Sequence, residues 1–202
     1  MTHAAFAIAY AYLLGCFNTG YYLVCLTTGQ DIRTLASGGT GSRNVGRLLG
    51  TKGFVLTLVG DASKGMAAVW LGRYLAVEPW LLFVVLLAVT AGHIWPAQLA
   101  FRGGKGFATL AGGLILLAPT VLLAGFLLSV AFLLVLRRTT KAGLLALACS
   151  PAIMAIESCR SSQPWLSPEL FIYCLLVVMV LYAHRSNIRK DFFSCDTNAP
   201  KE

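Results

Sequence analysis

The sequence has few charged residues. Asp, Glu, Lys and Arg make up 12% of its 202 residues, whereas soluble domains carry about 25%. Hydrophobic residues make up 57%, and the mean hydropathy is +0.75. Several apolar runs approach the roughly 20 residues that a transmembrane helix needs. The composition therefore excludes an ordinary soluble domain and predicts an all-α integral membrane protein.

Acidic residues are scarcer than basic ones. There are 8 Asp and Glu against 16 Lys and Arg, which gives a net charge of +8. The basic residues lie between the apolar runs, as in the cytoplasmic loops of membrane proteins. This placement argues against nucleic-acid binding and favours anionic substrates or lipid headgroups.

The chain also lacks linkers, low-complexity segments and internal repeats. We therefore predict one transmembrane helical bundle over residues 1–190 and a short, disordered cytoplasmic tail over residues 191–202. The six cysteines form no C-x-x-C pair, so we interpret them as small buried apolar residues. The N-terminus has neither the basic flank nor the cleavage site of a signal peptide, which favours a retained first span.

The apolar runs predict seven membrane segments. Phe107–Leu136 would form a helix about 45 Å long, well beyond a hydrocarbon core of about 30 Å. We therefore expect a helical hairpin that turns near Pro119. The other five segments are Ala4–Thr27, Lys52–Tyr74, Trp80–Leu99, Ala142–Glu157 and Pro168–Ala183. Basic loop residues then fall almost entirely on one side, which predicts the N-terminus outside and the C-terminus in the cytoplasm.

A glycine-rich stretch surrounds one lysine. It reads Gly92-His93-Ile94-Trp95-Pro96 and then Phe101-Arg102-Gly103-Gly104-Lys105-Gly106-Phe107-Ala108-Thr109. Glycine allows backbone N–H groups to approach a ligand, and a helix N-terminus adds unpaired donors. It is not a P-loop, because Gly106 follows Lys105 where that motif has Ser or Thr. The stretch predicts a phosphate-binding site, or more simply a turn at the membrane boundary.

Two more polar clusters are predicted on the same cytoplasmic face. They cover Ser37–Arg47 and His184–Lys190, and with the glycine-rich stretch they supply hydroxyls, amides, two histidines and several cations. Arginine binds phosphate through a two-pronged fork and lysine as a point charge. Together the clusters suit a doubly anionic phosphorylated substrate. Alternatively, the histidines are helix caps and the basic residues mark only topology.

Asp61 and Lys64 lie three residues apart near the middle of the second predicted span. Charges inside a membrane usually face a bundle interior or a watery cavity. The pair fits either a self-neutralising packing contact or direct support of catalysis. No Ser/His/Asp set, activated cysteine or H-E-x-x-H motif is visible, and two histidines do not make a zinc site.

These motifs resemble the bacterial acyl-phosphate-dependent glycerol-3-phosphate acyltransferases, which are integral membrane enzymes of phospholipid synthesis. The glycine-rich motif of that family is present whole, as is its His-Arg-x-Asn-Ile motif at His184–Ile188. The first family motif is altered, because Ala36 replaces a glycine, Gly39 an asparagine and Ser42 an alanine. We expect Thr40 or Ser42 to replace the lost amide, or the activity to be altered.

The resemblance implies acyl transfer from acyl-phosphate to the 1-hydroxyl of glycerol 3-phosphate, giving lysophosphatidic acid and phosphate. It implies no cofactor and no metal, and neither acyl-CoA nor acyl carrier protein as donor. The expected partners are both substrates, membrane lipids and, through functional coupling, the enzyme that makes acyl-phosphate. The expected location is the bacterial inner membrane, with the site facing the cytoplasm.

The resemblance also implies residue roles. The catalytic residues are expected to be Ser37, Arg47, Lys105, His184 and Asn187. Substrate binding is assigned to Gly38, Asn44, His93, Gly103, Gly104, Gly106, Thr109 and Arg185, and support to Asp61 and Lys64. The Gly103 and Gly104 backbone is expected to bind phosphate, and His184 to be the base unless the substrate phosphate accepts the proton. The alternatives are a transporter of phosphorylated metabolites and a catalytically altered homologue acting as a binding protein.

Overall fold

The computed structural model describes residues 2–161, 164 and 167–193, and all regular structure within these ranges is helical. The helices are α1 (Thr2–Cys16), α2 (Thr19–Thr28), α3 (Ser42–Tyr74), α4 (Pro79–Ile94), α5 (Phe107–Leu117), α6 (Pro119–Leu136), α7 (Thr139–Arg160), α8 (Pro168–Ala183) and α9 (Arg185–Ile188). Three short helical turns cover Ile32–Thr34, Ala97–Leu99 and Arg189–Phe193.

Four helical segments are long and apolar enough to cross a membrane: Ser42–Tyr74, Pro79–Leu99, Pro119–Leu136 and Thr139–Arg160. A fifth span results if Pro168–Ala183 and Arg185–Phe192, bent by 61°, count as one. Among the described residues this criterion therefore yields four or five spans, because α5 is short and the first predicted span is broken. The all-α membrane architecture agrees with the sequence prediction, and the number of crossings stays a prediction.

The first predicted span, Ala4–Thr27, is wrong as a single helix. The chain leaves helical geometry at Asn18, which has φ −90° and ψ 103°. The Asn18 amide donates to the Cys16 carbonyl and accepts a 2.7 Å hydrogen bond from the Thr40 hydroxyl. Lys64 donates to the carbonyls of Gly15 and Phe17. These buried donors satisfy carbonyls that a break inside a membrane would otherwise leave unpaired.

Helix α3 begins earlier than predicted. The second segment was predicted to begin at Lys52, but the helix starts at Ser42 and is interrupted at Gly50, where φ is 68° and ψ is −164°. A positive φ of this kind favours glycine. The early start places Arg43 and Arg47 four residues apart on one helical face.

The α5–α6 connection lies at the opposite end of the bundle from the starts of α3 and α7. At one end, Arg43 in the first turn of α3 donates to hydroxyls in the first turn of α7. At the other end, Arg73 near the end of α3 donates to Leu116 of α5, and Thr120 of α6 donates to Glu157 of α7. The chain therefore reverses at Ala118, next to Pro119, as the length argument predicts.

Two glycine crossings bring the helices of the site close together. A Cβ added to Gly15 of α1 would lie 2.1 Å from the Val89 carbonyl of α4. A Cβ added to Gly112 of α5 would lie 1.9 Å from the Ala62 carbonyl of α3. Small residues allow membrane helices to approach this closely. The two crossings hold α4 against α1, and α5 against α3, which carries Lys64.

Two predictions about the chain need correction. The interpretation of the cysteines as buried holds for Cys16, whereas Cys25, Cys149 and Cys159 are exposed on the outside of the helices. Apolar side chains are tolerated there because that surface faces lipid rather than water. The predicted tail boundary at residue 190 falls inside the turn Arg189–Phe193. Residues 194–202, which include Cys195, lie outside the described residues.

Candidate active site

A cavity of about 530 Å³ opens where α3, α5, α6, α7 and the chain after α8 meet. Its polar lining comes from all three predicted clusters: Ser37, Ser42, Arg43, Asn44, Arg47, His93, Gly104, Lys105, Gly106, His184, Asn187, Lys190 and Asp191. Its apolar lining includes Phe54, Leu58, Phe107, Ala108 and Leu144. Segments far apart in sequence therefore share one pocket with a cationic part and an apolar part.

Lys105 and Asn187 join two of the clusters. The Lys105 ammonium donates a 2.6 Å hydrogen bond to Asn187 Oδ1. Burial lowers the pKa of Lys105 below its ordinary value, and the positive charges of Arg43 and Arg47 lower it further against the opposing effect of Asp191. Lys105 has no carboxylate within ion-pair distance among the described residues. Its charge is therefore available to an anionic ligand.

The Gly103 and Gly104 N–H groups, which were expected to bind phosphate, donate to backbone carbonyls of the protein. Gly103 N–H donates to the Ile94 carbonyl at 3.1 Å, and Gly104 N–H donates to the His93 carbonyl at 3.0 Å. The chain reverses tightly over the end of α4, and these bonds hold the turn. The backbone donors that remain belong to the first turn of α5, which has no intrahelical acceptors for them. Gly106 is the N-cap of this helix, with φ 81°.

Gly104 is required for another reason. A Cβ at this position would lie 2.1 Å from His93 Nε2, and the His93 ring is buried. We expect Gly104→Ala to displace His93 and to lower kcat/KM by about 100-fold, the effect of losing one well-placed donor. Steady-state kinetics in detergent or nanodiscs measure this.

Gly125→Ala is the matched control, because a Cβ on Gly125 in α6 meets nothing within 4 Å. It should keep activity within about twofold, as surface substitutions usually do. Equal activity of the Gly104→Ala variant and the wild type would show that the contact between Gly104 and His93 is not needed.

The first loop is held by Asn44. Its Oδ1 accepts from the Ser37 N–H at 3.1 Å, and its Nδ2 donates to the carbonyls of Leu35 and Gly39. Both amide hydrogens are therefore used, so Asn44 has no N–H donor left for substrate. Asn44 lines the cavity, and its assignment to substrate binding stays a prediction. Asn44 also fixes the loop that carries Ser37 to the cavity.

The altered first motif retains the backbone geometry of a glycine. Ala36, which stands where the family pattern has glycine, has φ 47°. An L residue in this left-handed region costs about 1–2 kcal/mol relative to glycine. Of the two suggested replacements for the lost amide, Thr40 is buried and bonded to Asn18, whereas Ser42 lines the cavity. Only Ser42 is positioned to make such a contact.

Asp61, Lys64 and His93 form a buried polar group beside the cavity. Lys64 Nζ lies 3.1 Å from Asp61 Oδ1 and 2.7 Å from His93 Nδ1. Asp61 and His93 line the cavity, whereas the lining does not include Lys64. Lys64 therefore satisfies carbonyls at the break in the first span and contacts a histidine of the cavity, and its role in catalysis stays a prediction.

The ring of His184 is held by a backbone carbonyl of α8. Its Nδ1 lies 2.8 Å from the Val180 carbonyl, and its ring packs edge-on against Phe107 at 6.3 Å between centroids. A carbonyl can only accept, so Nδ1 carries the hydrogen and Nε2 of the neutral ring keeps a lone pair. His184 is therefore arranged as a proton acceptor at the cavity wall.

The cavity has a strong excess of positive charge. Arg43, Arg47, Lys105 and Lys190 line it, against Asp191 and the buried Asp61. Arg43 is oriented by the hydroxyls of Thr139 and Thr140 rather than by a carboxylate. Within residues 2–161, 164 and 167–193, no three His, Cys, Asp or Glu side chains are grouped to hold a metal ion. The lining thus suits a ligand with more than one negative charge.

Several predicted site residues are not part of the cavity wall. Gly38, Gly103 and Thr109 are not among its lining residues, and Thr109 is buried. Arg185 stacks on Tyr182 at 4.5 Å and lines a separate surface groove. The cavity lining therefore does not include these four residues, and their assignment to substrate binding stays a prediction.

Sequence reasoning also missed cavity residues. Arg43 was overlooked because the helix was expected to start after it, although its spacing of four from Arg47 is a readable signal once the helix starts at Ser42. Thr139, Thr140, Ser129 and Gly143 reach the cavity through the packing of α6 and α7. Their sequence context carries no sign of this contact.

The lowered pKa of Lys105 has a consequence for pH dependence. Because the pKa of Lys105 is lowered, its ammonium loses the proton at a lower pH than an ordinary lysine does. Its attraction for an anionic substrate therefore weakens at a lower pH as well. We expect kcat/KM for a phosphorylated substrate to fall on the alkaline side before ordinary lysines titrate, because this ratio reports the free enzyme. Lys105→Arg should move the fall to higher pH, since guanidinium stays charged. An unchanged alkaline limb in that variant would contradict the assignment.

The fold and cavity together define a helical membrane protein with a cationic site for an anionic, partly apolar ligand. The family model described as glycerol-3-phosphate acyltransferase matches residues 5–192. A protein of Desulfitobacterium hafniense named glycerol-3-phosphate acyltransferase 1 is 42% identical over 185 residues, covering 92% of this chain and 89% of its own. A glycerol-3-phosphate acyltransferase of Rubrobacter xylanophilus is 41% identical, covering 88% and 86%.

Solved structures give the same result. A crystal structure of PlsY (YgiH), an integral membrane glycerol 3-phosphate acyltransferase in its glycerol 3-phosphate form, superposes with a TM-score of 0.82 at 30% identity, covering 93% of this chain and 90% of that chain. Its lysophosphatidic acid form gives 0.77 at 29% identity, with the same coverage. The chain belongs to the glycerol-3-phosphate acyltransferase family.

Proposed function

We propose that this protein transfers a fatty acyl group from acyl-phosphate to the 1-hydroxyl of glycerol 3-phosphate, forming lysophosphatidic acid and phosphate. The observation that carries the proposal is the cavity itself, in which four cations beside an apolar wall outnumber the two lining carboxylates, Asp61 and Asp191. Two phosphate-bearing reactants require such an excess of cations. Membership of the family supports the same reaction.

The chemistry needs no enzyme nucleophile. The glycerol hydroxyl oxygen attacks the acyl carbonyl carbon, and the bond from that carbon to the phosphate oxygen breaks with its electron pair leaving on phosphate. His184 Nε2 accepts the hydroxyl proton. Arg47, Lys105 and the first turn of α5 bind the phosphates, while Ser37 and Asn187 orient the reacting groups. Positioning and charge stabilisation then supply most of the rate enhancement.

The apolar part of the cavity fits the acyl chain. Phe54 and Leu58 of α3 face the cavity together with Leu144 of α7. Leu58 is also 38% exposed on the surface of the bundle, so this wall continues to the lipid-facing side. The acyl group can therefore remain in an apolar environment while its phosphate reaches the cations.

Gly143 leaves room along this wall. It lines the cavity, and a Cβ there would meet only Phe107 Cζ, at 3.9 Å. We expect Gly143→Leu to fill the space and to lower kcat/KM for palmitoyl-phosphate about tenfold more than for octanoyl-phosphate, within the range for a crowded apolar pocket. Competition between the two donors measures the ratio. An unchanged ratio in a folded variant would place the chain elsewhere.

We further propose a single bundle of seven membrane segments in the bacterial inner membrane, with the N-terminus outside. The cavity then faces the cytoplasm, and residues 194–202 form a short cytoplasmic tail. The clustering of basic residues around the cavity supports this orientation. Single-cysteine variants at Arg102 and Arg160, tested with an impermeant thiol reagent on intact cells, separate the two sides. We expect the reagent to label position 160 and not position 102. Labelling of position 102 alone would show that the protein has the opposite orientation.

Access to acyl-phosphate from the membrane suggests functional coupling to the enzyme that produces it, since acyl-phosphates are reactive and poorly soluble. A transporter would need polar groups along a path, whereas the two buried charged residues, Asp61 and Lys64, are paired with each other. The altered first motif is the one observation that favours a non-catalytic homologue, and Ser42 at the cavity offsets it.

The decisive assay mixes purified protein with labelled glycerol 3-phosphate and palmitoyl-phosphate. We expect labelled lysophosphatidic acid, and no product when palmitoyl-CoA or palmitoyl-acyl carrier protein replaces the acyl-phosphate. A purified, folded protein that binds glycerol 3-phosphate but forms no lipid product would indicate the binding homologue. Product formed only from acyl-CoA would overturn the proposed donor.

A further inference from the structure

The buried contact between Lys64 and His93 has a chemical consequence. Lys64 Nζ lies 2.7 Å from His93 Nδ1 and donates to the carbonyls of Phe17 and Gly15 at 2.8 and 3.2 Å, and it forms an ion pair with Asp61. An ammonium group has three donors and no lone pair. Each of its near neighbours must therefore accept, so Nδ1 of His93 carries the lone pair and Nε2 carries the hydrogen.

The Nε2 atom lies against Gly104, which lines the cavity. His93 is 3% exposed and lines the cavity. The Gly104 backbone passes so close to Nε2 that a side chain there would collide with it. Nε2 has no hydrogen-bond partner within the described part of the chain, whereas Nδ1 is occupied by Lys64. A nearly buried ring therefore presents one unpaired N–H beside the substrate cavity.

We propose that His93 is a fixed hydrogen-bond donor to a negatively charged oxygen of the reactants, and that Lys64 is the positioning residue that holds its tautomer. His93 and His184 then act as a complementary pair. The carbonyl of Val180 leaves His184 Nε2 as an acceptor, and the ammonium of Lys64 leaves His93 Nε2 as a donor. This inference rests on the proposed acyl transfer and adds the role of Lys64 to it.

The proposal separates two histidine variants. A glutamine amide can place an N–H near the position of Nε2, whereas the shorter asparagine reaches only the position of Nδ1. We expect His93→Asn to lower kcat/KM about 100-fold, as for loss of an oxyanion donor, and His93→Gln to recover about tenfold of that loss. Equal losses in both folded variants would overturn the donor role, since neither amide replaces a base.

The kinetic parameters show which oxygen of the reactants accepts the hydrogen bond from His93. If the acceptor is the phosphate of glycerol 3-phosphate, the loss appears mainly in KM for that substrate. If it is the oxyanion that develops on the acyl carbonyl, the loss appears in kcat. Either pattern supports donation by His93. A loss confined to thermal stability, with both parameters unchanged, would reduce the contact to packing and overturn the proposal.

The tautomer is tested without activity. Nitrogen-15 NMR of histidine-labelled protein should show Nδ1 of His93 unprotonated and Nε2 protonated, with the His93→Gln spectrum providing the assignment. Removal of Lys64 alone would leave Asp61 buried without its partner, so Asp61→Asn with Lys64→Met is the appropriate variant. In it, we expect protonated Nδ1 to appear. A protonated Nδ1 in the wild type would refute the proposal even if the enzyme is active.

A double-mutant cycle completes the test. If Lys64 acts through His93, the Asp61→Asn, Lys64→Met pair should lower kcat/KM much less in the His93→Gln background than in the wild type. Tyr173→Phe, which removes a buried 2.8 Å hydrogen bond to Ser150 away from the cavity, controls for general destabilisation. Additive losses would show that Lys64 acts independently of His93. Absence of lysophosphatidic acid from the wild type would instead refute the proposed function and leave the NMR result standing.

Discussion

We expect Lys105→Met to lower kcat/KM for acyl transfer by about 1,000-fold, the upper range for removing one preorganised donor from an active site. Methionine keeps the length and apolar stem of lysine and removes only the charge. The loss is large because the ammonium lies between the cationic start of α3 and Asn187. Within the described structure no carboxylate forms an ion pair with it, so its charge acts on the substrate. Purified variants assayed with acyl-phosphate and glycerol 3-phosphate measure the change.

Arg102→Ala is the matched control for this prediction. Arg102 lies three residues earlier in the same glycine-rich stretch, carries the same charge, and is exposed outside the cavity lining. Its loss should change kcat/KM by less than about twofold, because surface charges are screened by salt. Similar losses in both variants would mean that general membrane-surface charge matters, and that Lys105 has no specific place in the mechanism.

Arg47→Ala is expected to lower kcat/KM by about 100-fold, chiefly by raising KM for glycerol 3-phosphate, because a charge-assisted contact with phosphate contributes about 1.5–3 kcal/mol. Arg47 lines the cavity and makes no ion pair among the described side chains. Arg47→Lys should recover only part of the loss, since lysine keeps the charge without the planar two-pronged fork. Titration of glycerol 3-phosphate at fixed acyl-phosphate gives both constants.

The control for Arg47 lies on the same helix. Lys52 follows the break at Gly50, is exposed, and is absent from the cavity lining. Lys52→Ala removes the same charge nearby and should leave KM within about twofold. Full recovery by Arg47→Lys would show that the charge alone suffices. An unchanged KM in Arg47→Ala would remove Arg47 from phosphate binding.

Much of the architecture follows from local sequence signals. Apolar runs of membrane length predict the helices, and the excessive length of Phe107–Leu136 predicts the reversal beside Pro119. The three polar clusters could also be grouped in advance, because charge placement assigns their loops to one face. Lys105, Arg47, His184 and Asn187 meet at the cavity for this reason.

The details that sequence could not supply depend on packing. The Gly103 and Gly104 N–H groups are used by carbonyls at the end of α4, which only a folded turn reveals. The break at Asn18 is stable because Lys64, 46 residues later, donates to the carbonyls that the break leaves without helical partners. Periodicity within the first span carries no trace of that donor, so the span looked continuous.

Two arginines show that sequence did not reveal which side chains reach the cavity. One was not predicted there and lines it, and the other was predicted there and does not. Arg43 was overlooked because the second segment was expected to begin at Lys52, whereas α3 begins at Ser42 and Arg43 lines the cavity. Arg185 belongs to a matching family motif, yet its guanidinium stacks on Tyr182 at the surface. A motif specifies residue types at a spacing, whereas the direction of each side chain depends on the bend after α8.

The central claim is that the cationic end of one cavity binds the phosphate of glycerol 3-phosphate beside the acyl donor. A crystal structure of this protein with glycerol 3-phosphate and a non-hydrolysable acyl-phosphonate tests it most directly. We predict the glycerol phosphate in contact with Arg47 and the phosphonate within reach of Lys105, with the glycerol hydroxyl near His184 and the acyl chain along Phe54 and Leu58. Ligands bound with their charged groups away from Arg47, Lys105 and His184 would contradict the account.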